Sequence, residues 1–267
     1  IATNTALTLL SCANNQLTNL DISTNTALTL LACSSNQLTN LDIATNTALT
    51  LLSCANNQLT NLDISTNTAL TVLTCRYNQL TNLDVAVNTA LLRLSCENNQ
   101  LTNLDVTTNT ALTLLHCHNN QLTSLNVANG NNTNISSASF FATIGNPNLT
   151  CIQVDDVAYS TTTWTTIDST TAFSTFCPPV SINKLADKEI KNVQIYPNPT
   201  SKKVMINLNK NYKEITVLVN NTIGQVILSK QYTEEQFINL DLEGNRGVYF
   251  VTIFTEEGIS KTKVIKE

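Results

Sequence analysis

Apolar positions recur along the first half of the chain with a fixed period. Leu7, Leu10, Cys12, Leu17, Leu20 and Ile22 reappear 21 positions later as Leu28, Leu31, Cys33, Leu38, Leu41 and Ile43. The whole unit, LTLLSCANNQLTNLDISTNTA from Leu7 to Ala27, recurs from Leu28, Leu49, Leu70, Leu91 and Leu112. Within it, Leu9–Ala13 and Leu20–Ile22 alternate with a period of two, which predicts two short extended pieces with Leu10, Cys12, Leu20 and Ile22 pointing inward. The polar residues between them turn the chain. One such coil cannot bury its own apolar edge, so coils must stack, parallel and in register, and bury it together. At about 4.8 Å per coil the stack extends on the order of 30 Å.

The pattern changes after the sixth unit decays at Asn126-Val127-Ala128-Asn129-Gly130. Pro147–Asp155 reads as one last, altered coil, with Trp164 and Phe173 expected to cover its open end, since terminal repeats need a cap. Pro178-Pro179 marks a boundary. Beyond a connector to about Asn192, strand signals are dense near 193–196, 203–208, 214–220, 225–230, 237–241, 247–255 and 259–265. Turns fall at Pro197-Asn198-Pro199, Ile223-Gly224 and Glu257-Gly258. Seven short strands in so few residues predict an antiparallel β-sandwich. The expected fold is therefore mainly β: a parallel-coil solenoid over 1–132, an altered coil and cap over 133–177, a linker over 178–192, and a sandwich domain over 193–267.

Composition narrows the function classes. Charged residues are only 12% of the 267, and the net charge is -5. Residues 1–132 carry six acids and two bases; residues 181–267 carry ten acids and twelve bases. No stretch supplies the dense basic face that a phosphate backbone requires, so nucleic acid is not an expected partner. No apolar run reaches the length of a membrane span. The chain opens inside a repeat, Ile1-Ala2-Thr3-Asn4-Thr5-Ala6 matching Ile22-Ser23-Thr24-Asn25-Thr26-Ala27. That phase predicts a fragment or processed product with further repeats upstream.

Three polar or sulfur columns run through the repeat. Asn15, Asn36, Asn57, Asn78, Asn99 and Asn120 form one asparagine column, and Asn25, Asn46, Asn67, Asn88 and Asn109 another. Both are read as structural, their amides bonding turn backbone of adjacent coils. Cys12, Cys33, Cys54, Cys75, Cys96 and Cys117 occupy a leucine-like inward site, one per coil. They read as small core hydrophobes, because a metal site needs ligands converging in one place. Asp21, Asp42, Asp63, Asp84 and Asp105, ended by Asn126, form an exposed ladder. Neighbouring carboxylates about 5 Å apart should raise one another's pKa, with turn amides opposing this. A structural column is the preferred reading over a calcium line. No nucleophile stands apart from the scaffold, and no GxSxG, HExxH or phosphate-binding loop is present, so neither a catalytic residue nor a cofactor is expected. Cys151 and Cys177 lie outside the column and are expected to form a disulfide, as an oxidising compartment permits.

Outward strand positions offer a place for function. The first three coils carry Leu9, Ser11, Ala13, then Leu30, Ala32, Ser34, then Leu51, Ser53, Ala55. The next three carry Val72, Thr74, Arg76, then Arg93, Ser95, Glu97, then Leu114, His116, His118, with Tyr77 in place of the usual Asn. Arg76, Tyr77, Arg93, Glu97, His116 and His118 thus form a candidate ligand-binding patch of charge, aromatic ring and imidazole. Drift near the end of an array is the alternative.

The unit resembles the leucine-rich-repeat family in its short bacterial form, LxxLxCxxNxLxxLDIxxNxx, over about residues 1–132. That resemblance implies recognition through the strand side. Tyr196-Pro197-Asn198-Pro199-Thr200, Asn220-Asn221-Thr222-Ile223-Gly224-Gln225-Val226, Gly247-Val248-Tyr249-Phe250-Val251 and Lys261-Thr262-Lys263-Val264-Ile265-Lys266 carry a second likeness. Together they resemble the type A C-terminal sorting domain of the Bacteroidetes type IX secretion system, over roughly 192–267. It implies export across the outer membrane, by that secretion machinery, to a secreted or surface-attached location. Within the motif, Tyr196, Pro197, Asn198, Pro199, Gly224 and Gly247 are the residues singled out. The expected role is a recognition module for protein or glycan at the cell surface. The alternatives are a structural spacer or coat element, or an accessory segment of a larger exported enzyme.

Overall fold

A computed structural model describes residues 3–177, 189–222, 226–242 and 244–267. The chain divides into two compact units, Ile1–Cys177 and Pro178–Glu267. In the first, each coil contributes a three-residue strand: β1 (Leu9–Ser11), β2 (Leu30–Ala32), β3 (Leu51–Ser53), β4 (Val72–Thr74) and β5 (Arg93–Ser95). There follow β6 (Asn103–Asp105), β7 (Leu114–His116), β8 (Ser124–Asn126), β9 (Phe141–Ala142), β10 (Cys151–Gln153), helix α1 (Val157–Thr163) and β11 (Ala172–Ser174). One parallel sheet has the order β1-β2-β3-β4-β5-β7-β9, and a second has the order β11-β10-β8-β6. Register advances by one repeat per strand, with Leu10 opposite Leu31, Leu31 opposite Leu52 and Leu52 opposite Leu73.

The second extended piece differs from the sequence expectation. The stretches equivalent to Leu20–Ile22 form hydrogen-bonded strands only from β6 onward. In earlier coils that edge is held by side chains: Thr45 Oγ1 donates to the Ser23 carbonyl at 2.9 Å and Asn46 Nδ2 to the Asn25 carbonyl at 2.9 Å. The backbone ladder appears where β8 gains a partner in β10 of the altered coil.

The inward columns close the core. Leu31, Leu52, Leu73, Leu94 and Leu115 are fully buried, as are Cys33, Cys54, Cys75, Cys96 and Cys117. Each buried leucine contributes about 1.5–3 kcal/mol by leaving water. The six column cysteines are free thiols. Burial pushes Cys33 and Cys75 up to about 12, the Glu97 carboxylate adding to the rise at Cys75. These thiols stay protonated and behave as small apolar groups.

The first asparagine column ties coil to coil. Asn78 Nδ2 donates to the Cys75 carbonyl at 3.0 Å in its own coil and to the Cys54 carbonyl at 3.1 Å in the preceding one. Its Oδ1 accepts the Leu59 N–H at 3.0 Å. The same set recurs at Asn36, Asn57, Asn99 and Asn120. In the second column Asn88 Nδ2 bridges the Asn67 and Ile64 carbonyls at 2.9 and 3.1 Å. Backbone groups of turns that face the core thereby gain side-chain partners.

Beyond the sixth unit the chain makes one further, altered coil, which begins before the expected Pro147–Asp155 stretch. Phe141 stands opposite Leu115, 26 residues on rather than 21. The inserted residues include a 3₁₀ turn, Asn132–Asn134. Asn146 completes the first asparagine column, donating to the Cys117 carbonyl at 3.1 Å and accepting Leu122 N–H at 3.0 Å. Trp164 covers this coil. Its ring stacks on Phe141 at 4.1 Å between centroids, Phe173 meets it edge-on at 5.9 Å, and its Nε1 donates to the Ile135 carbonyl at 2.8 Å. Cys151 and Cys177 are joined by a disulfide with their Cα atoms 5.7 Å apart.

Among its described residues the second unit has seven antiparallel strands: β12 (Gln194–Tyr196), β13 (Lys203–Tyr212), β14 (Ile215–Asn221), β15 (Val226–Tyr232), β16 (Glu235–Asp241), β17 (Gly247–Thr255) and β18 (Gly258–Lys266). They form sheets of order β12-β13-β16 and β15-β14-β17-β18. Val204, Ile206 and Ile238 from one sheet share a buried cluster with Val217, Val251 and Ile253 from the other. The fold is thus mainly β, a parallel solenoid followed by a smaller antiparallel unit. Most of the linker expected at 178–192 lies outside the described residues.

Asn78→Ala removes a donor shared by two coils and orphans the Leu59 N–H. An unfolding free energy lower by about 2–3 kcal/mol is expected, read from the urea midpoint, because buried backbone groups lose their partners.

Candidate functional site

The outward face of the first sheet is built from strand alternation. Residues 10 and 12 of each coil point in, so those at 9, 11 and 13 point out. The backbone ladder continues past the assigned strands, Cys75 N–H reaching the Ser95 carbonyl at 2.9 Å and Tyr77 N–H the Glu97 carbonyl at 3.0 Å. Arg76, Glu97 and His118 therefore stand in one row across three coils, while Arg93 lies in another row between Val72 and Leu114.

The six candidate residues share this face but differ in access. Arg76, Tyr77 and Arg93 are exposed and His116 and His118 half-buried, whereas Glu97 is only 3% exposed. The sequence placed Glu97 outward with its neighbours; the stacking of adjacent coils covers it. Arg76 Nη1 approaches Glu97 Oε1 at 3.4 Å. Glu97 Oε2 and His118 Nδ1 are buried and have no hydrogen-bond partner among the described residues. Burial holds the His118 imidazole below its ordinary value, against the pull of the Glu97 carboxylate; His116 and Arg76 add to the lowering. His116 is committed elsewhere, its Nε2 lying 2.9 Å from the Ser139 carbonyl. The two imidazole rings sit 6.0 Å apart, edge to face.

Tyr77 occupies a special backbone position. Asn14, Ser35, Asn56, Tyr77, Asn98 and Asn119 all have φ between 53° and 57°, and Gly145 takes the same place in the seventh coil. Left-handed backbone costs a residue with a bulky Cβ substituent roughly 1–2 kcal/mol, which asparagine and glycine largely avoid. Tyr77 thus carries a backbone penalty while holding its ring 49% exposed, with the Arg76 guanidinium 5.9 Å from the ring centre. The face also extends further than the sequence indicated. Phe140 and Ile144, exposed at the seventh coil, continue it beyond Leu114 and His118. The broken period concealed them; only the 26-residue step from Asn120 to Asn146 signals their register.

The Asp ladder is a set of turn braces. Asp21, Asp42, Asp63, Asp84 and Asp105 each accept the N–H two residues on, at 2.9–3.1 Å. At Asp21 the Ser23 hydroxyl and N–H lower the carboxyl pKa, and at Asp63 the Ser65 N–H and hydroxyl do so. For these two the turn hydrogen bonds, expected to oppose mutual raising, prevail. Among the described residues, no group of three or more His, Cys, Asp or Glu side chains is placed to hold a metal ion.

In the second unit the Tyr196–Thr200 motif clasps the final strand. Asn198 Nδ2 donates to the Lys263 carbonyl at 2.8 Å, and its Oδ1 accepts Ile265 N–H at 2.9 Å. Thr200 N–H reaches the Ile265 carbonyl at 2.9 Å, and Glu267 N–H returns to the Thr200 carbonyl at 2.9 Å. Tyr196 Oη contacts Met205 Sδ at 3.2 Å. From the other side Lys266 Nζ donates to the Leu242 and Gly244 carbonyls at 2.8 and 2.6 Å, and Tyr249 Oη to the Asn245 carbonyl at 2.6 Å. Gly247 opens β17 at φ 155°, a conformation side-chain-bearing residues rarely adopt. Gly224 lies outside the described residues.

The fold is thus a parallel solenoid with an outward strand face and, in the second unit, a small antiparallel fold that clasps its own last strand. Residues 194–267 match the family described as the secretion system C-terminal sorting domain. The chain therefore pairs a β-solenoid with a C-terminal sorting domain of the type IX kind, and its place is secreted or surface-associated. Among the described residues no helix is long and apolar enough to cross a membrane. Among solved structures, the functional domain of InlJ from Listeria monocytogenes, described as including a cysteine ladder, is similar at TM-score 0.51 and 22% identity. The alignment covers 100% of this chain and 68% of that one, and shows the shared fold. No curated protein matches the chain.

Two outcomes follow from this geometry. In an NMR titration His118 should protonate with a midpoint below 6.5, and Glu97→Gln should lower it further by removing the attracting charge. Because the folded-state pKa is depressed, the folded state loses stability as pH falls from the unfolded value through the folded one. Asn198→Ala should cost about 1 kcal/mol, the net worth of exposed hydrogen bonds, and speed amide exchange at Ile265.

Proposed function

We propose that this protein is a non-enzymatic recognition module exported by the type IX system. Its leucine-rich-repeat solenoid binds protein or glycan through the strand face, at Arg76, Tyr77, Arg93, Glu97, His116 and His118. The observation that carries this reading is the distribution of departures from the repeat. The inward columns are nearly invariant from coil to coil, while charge, an aromatic ring and imidazoles gather on three adjacent coils of one face. Two of those departures are locally costly: Tyr77 in left-handed backbone and Glu97 buried with one oxygen unpaired. Costly residues grouped on an accessible face fit a binding role better than relaxed packing, which would shed strain rather than collect it. The final domain, with its clasp on Lys263–Glu267, supports the export half of the reading.

The near identity of the first three coils favours a second reading, a spacer or coat element whose length matters more than its surface. A binding screen separates the two. The full chain, immobilised, is tested against surface proteins and glycans beside an R76A/Y77A/R93A/H116A/H118A variant. Saturable binding lost in the variant is expected; identical behaviour of the two would leave the spacer. Tyr77→Asn should raise the unfolding free energy by about 1 kcal/mol as the left-handed strain is relieved, while weakening the captured ligand.

A further inference from the structure

Three rows of side chains face outward from the first sheet. One runs Leu9, Leu30, Leu51, Val72, Arg93 and Leu114, neighbours in parallel register. The middle row is small, Ser11, Ala32, Ser53, Thr74 and Ser95, until His116. The third row carries Arg76, Glu97 and His118 at the fourth to sixth coils. Side chains two apart on a strand stand about 7 Å from each other. By side-chain size, Thr74 and Ser95 stand lower than Val72 and Arg93 on one side and Arg76 on the other, which leaves a shallow trough along the coil-stacking direction toward His116.

The trough has a definite charge. Residues 1–177 contain nine acids and only two bases, Arg76 and Arg93. Both bases stand on this face, whereas the five aspartates of the ladder brace turns after the second edge. Arg76 is drawn to Glu97 at 3.4 Å, but the Arg93 side chain has neither ion pair nor hydrogen bond among the described residues. An unpaired, exposed guanidinium beside a half-buried aliphatic row is complementary to a carboxylate flanked by apolar groups. Arginine engages carboxylates through two parallel N–H bonds, which fixes orientation as well as charge.

We infer that the strand face takes an extended acidic segment of a partner protein, its Asp or Glu side chain on Arg93 and its flanking apolar side chains on Leu51, Val72 and Tyr77. This rests on the recognition reading above and assigns its ligand class. An acidic polysaccharide would satisfy Arg93 and stack on Tyr77. It would set hydroxyls against the Leu30–Leu51–Val72 row, where burial is rewarded only for apolar surface.

The test pans a random peptide-display library on the immobilised full chain, with R93S and R76S/R93S variants in parallel. An array of anionic glycans is probed with the same proteins and with Y77A. The Arg93 side chain has no hydrogen bond or ion pair among the described residues, so equal thermal unfolding of R93S and wild type serves as the control. Expected are enriched peptides with an Asp or Glu between apolar residues, bound at least tenfold more weakly by R93S and weakened similarly when their acid is changed to the amide. Peptides lacking acids, peptides enriched equally on R93S, or no enrichment would overturn the inference. So would a dimer of the full chain that R93S dissociates, since a second copy would then occupy the face. Glycan binding lost in Y77A without peptide enrichment overturns the acidic segment but keeps a recognition module. Absence of both overturns the two together.

Discussion

From the second coil on, each coil of the solenoid turns one asparagine inward whose side chain completes the backbone of two coils. Asn36, Asn57, Asn78, Asn99 and Asn120 donate to a cysteine carbonyl in their own coil and to its counterpart one coil earlier, and accept an N–H from that earlier coil. A neutral amide can do this because it carries donors and an acceptor on one rigid plane. The arrangement tolerates no slip of register: a coil one residue longer in its turn would carry the amide away from its three partners and bury them unpaired. The strict period, the straight leucine and cysteine columns and the parallel register all follow from that constraint. Where the chain does insert residues, between Asn120 and Asn146, it restores the bond set before continuing.

With the inner columns committed, chemistry is confined to what points outward. The scaffold sets no requirement on residues 9, 11 and 13 of a coil beyond compatibility with a strand. It permits Arg93 and Arg76 as readily as Leu51 and Ala55. The left-handed position is different. Asn, Ser or Gly suits it, and Tyr77 is the one aromatic side chain in that column. Glu97 is likewise accommodated at a cost, its charge placed between Arg76 and His118 while one oxygen stays unpaired. The two irregularities are adjacent in the row order, which concentrates local cost where the surface is most chemically varied.

The second unit applies the same economy to a different problem. An antiparallel sheet ends in an edge, and edges invite pairing with other chains. β18 is such an edge, and segments of its own unit cover both of its ends. Ile190 N–H bonds the Ile259 carbonyl, while Asn198 and Thr200 bond Lys263, Ile265 and Glu267. Within the Tyr196–Thr200 motif, Asn198 and Thr200 are the residues that hold the final strand.

The sequence alone determined the coil. A 21-residue period with inward leucine, cysteine and asparagine leaves one way to bury apolar edges and satisfy turn amides, so the stacked parallel solenoid, the inert thiols and the seven-strand sandwich were legible before any coordinates. So was the set of outward departures, because outward and inward positions alternate strictly. Tertiary structure decided what periodicity does not encode. It buried Glu97 beneath its neighbours, since exposure depends on the coils above and below rather than on strand parity. It set where the altered last coil begins, at Phe141 rather than Pro147, because an insertion erases the period yet leaves hydrogen-bond geometry to restore the register. It confined the second sheet to the last coils, where the altered coil supplies a backbone partner that the earlier ones replace with threonine and asparagine side chains.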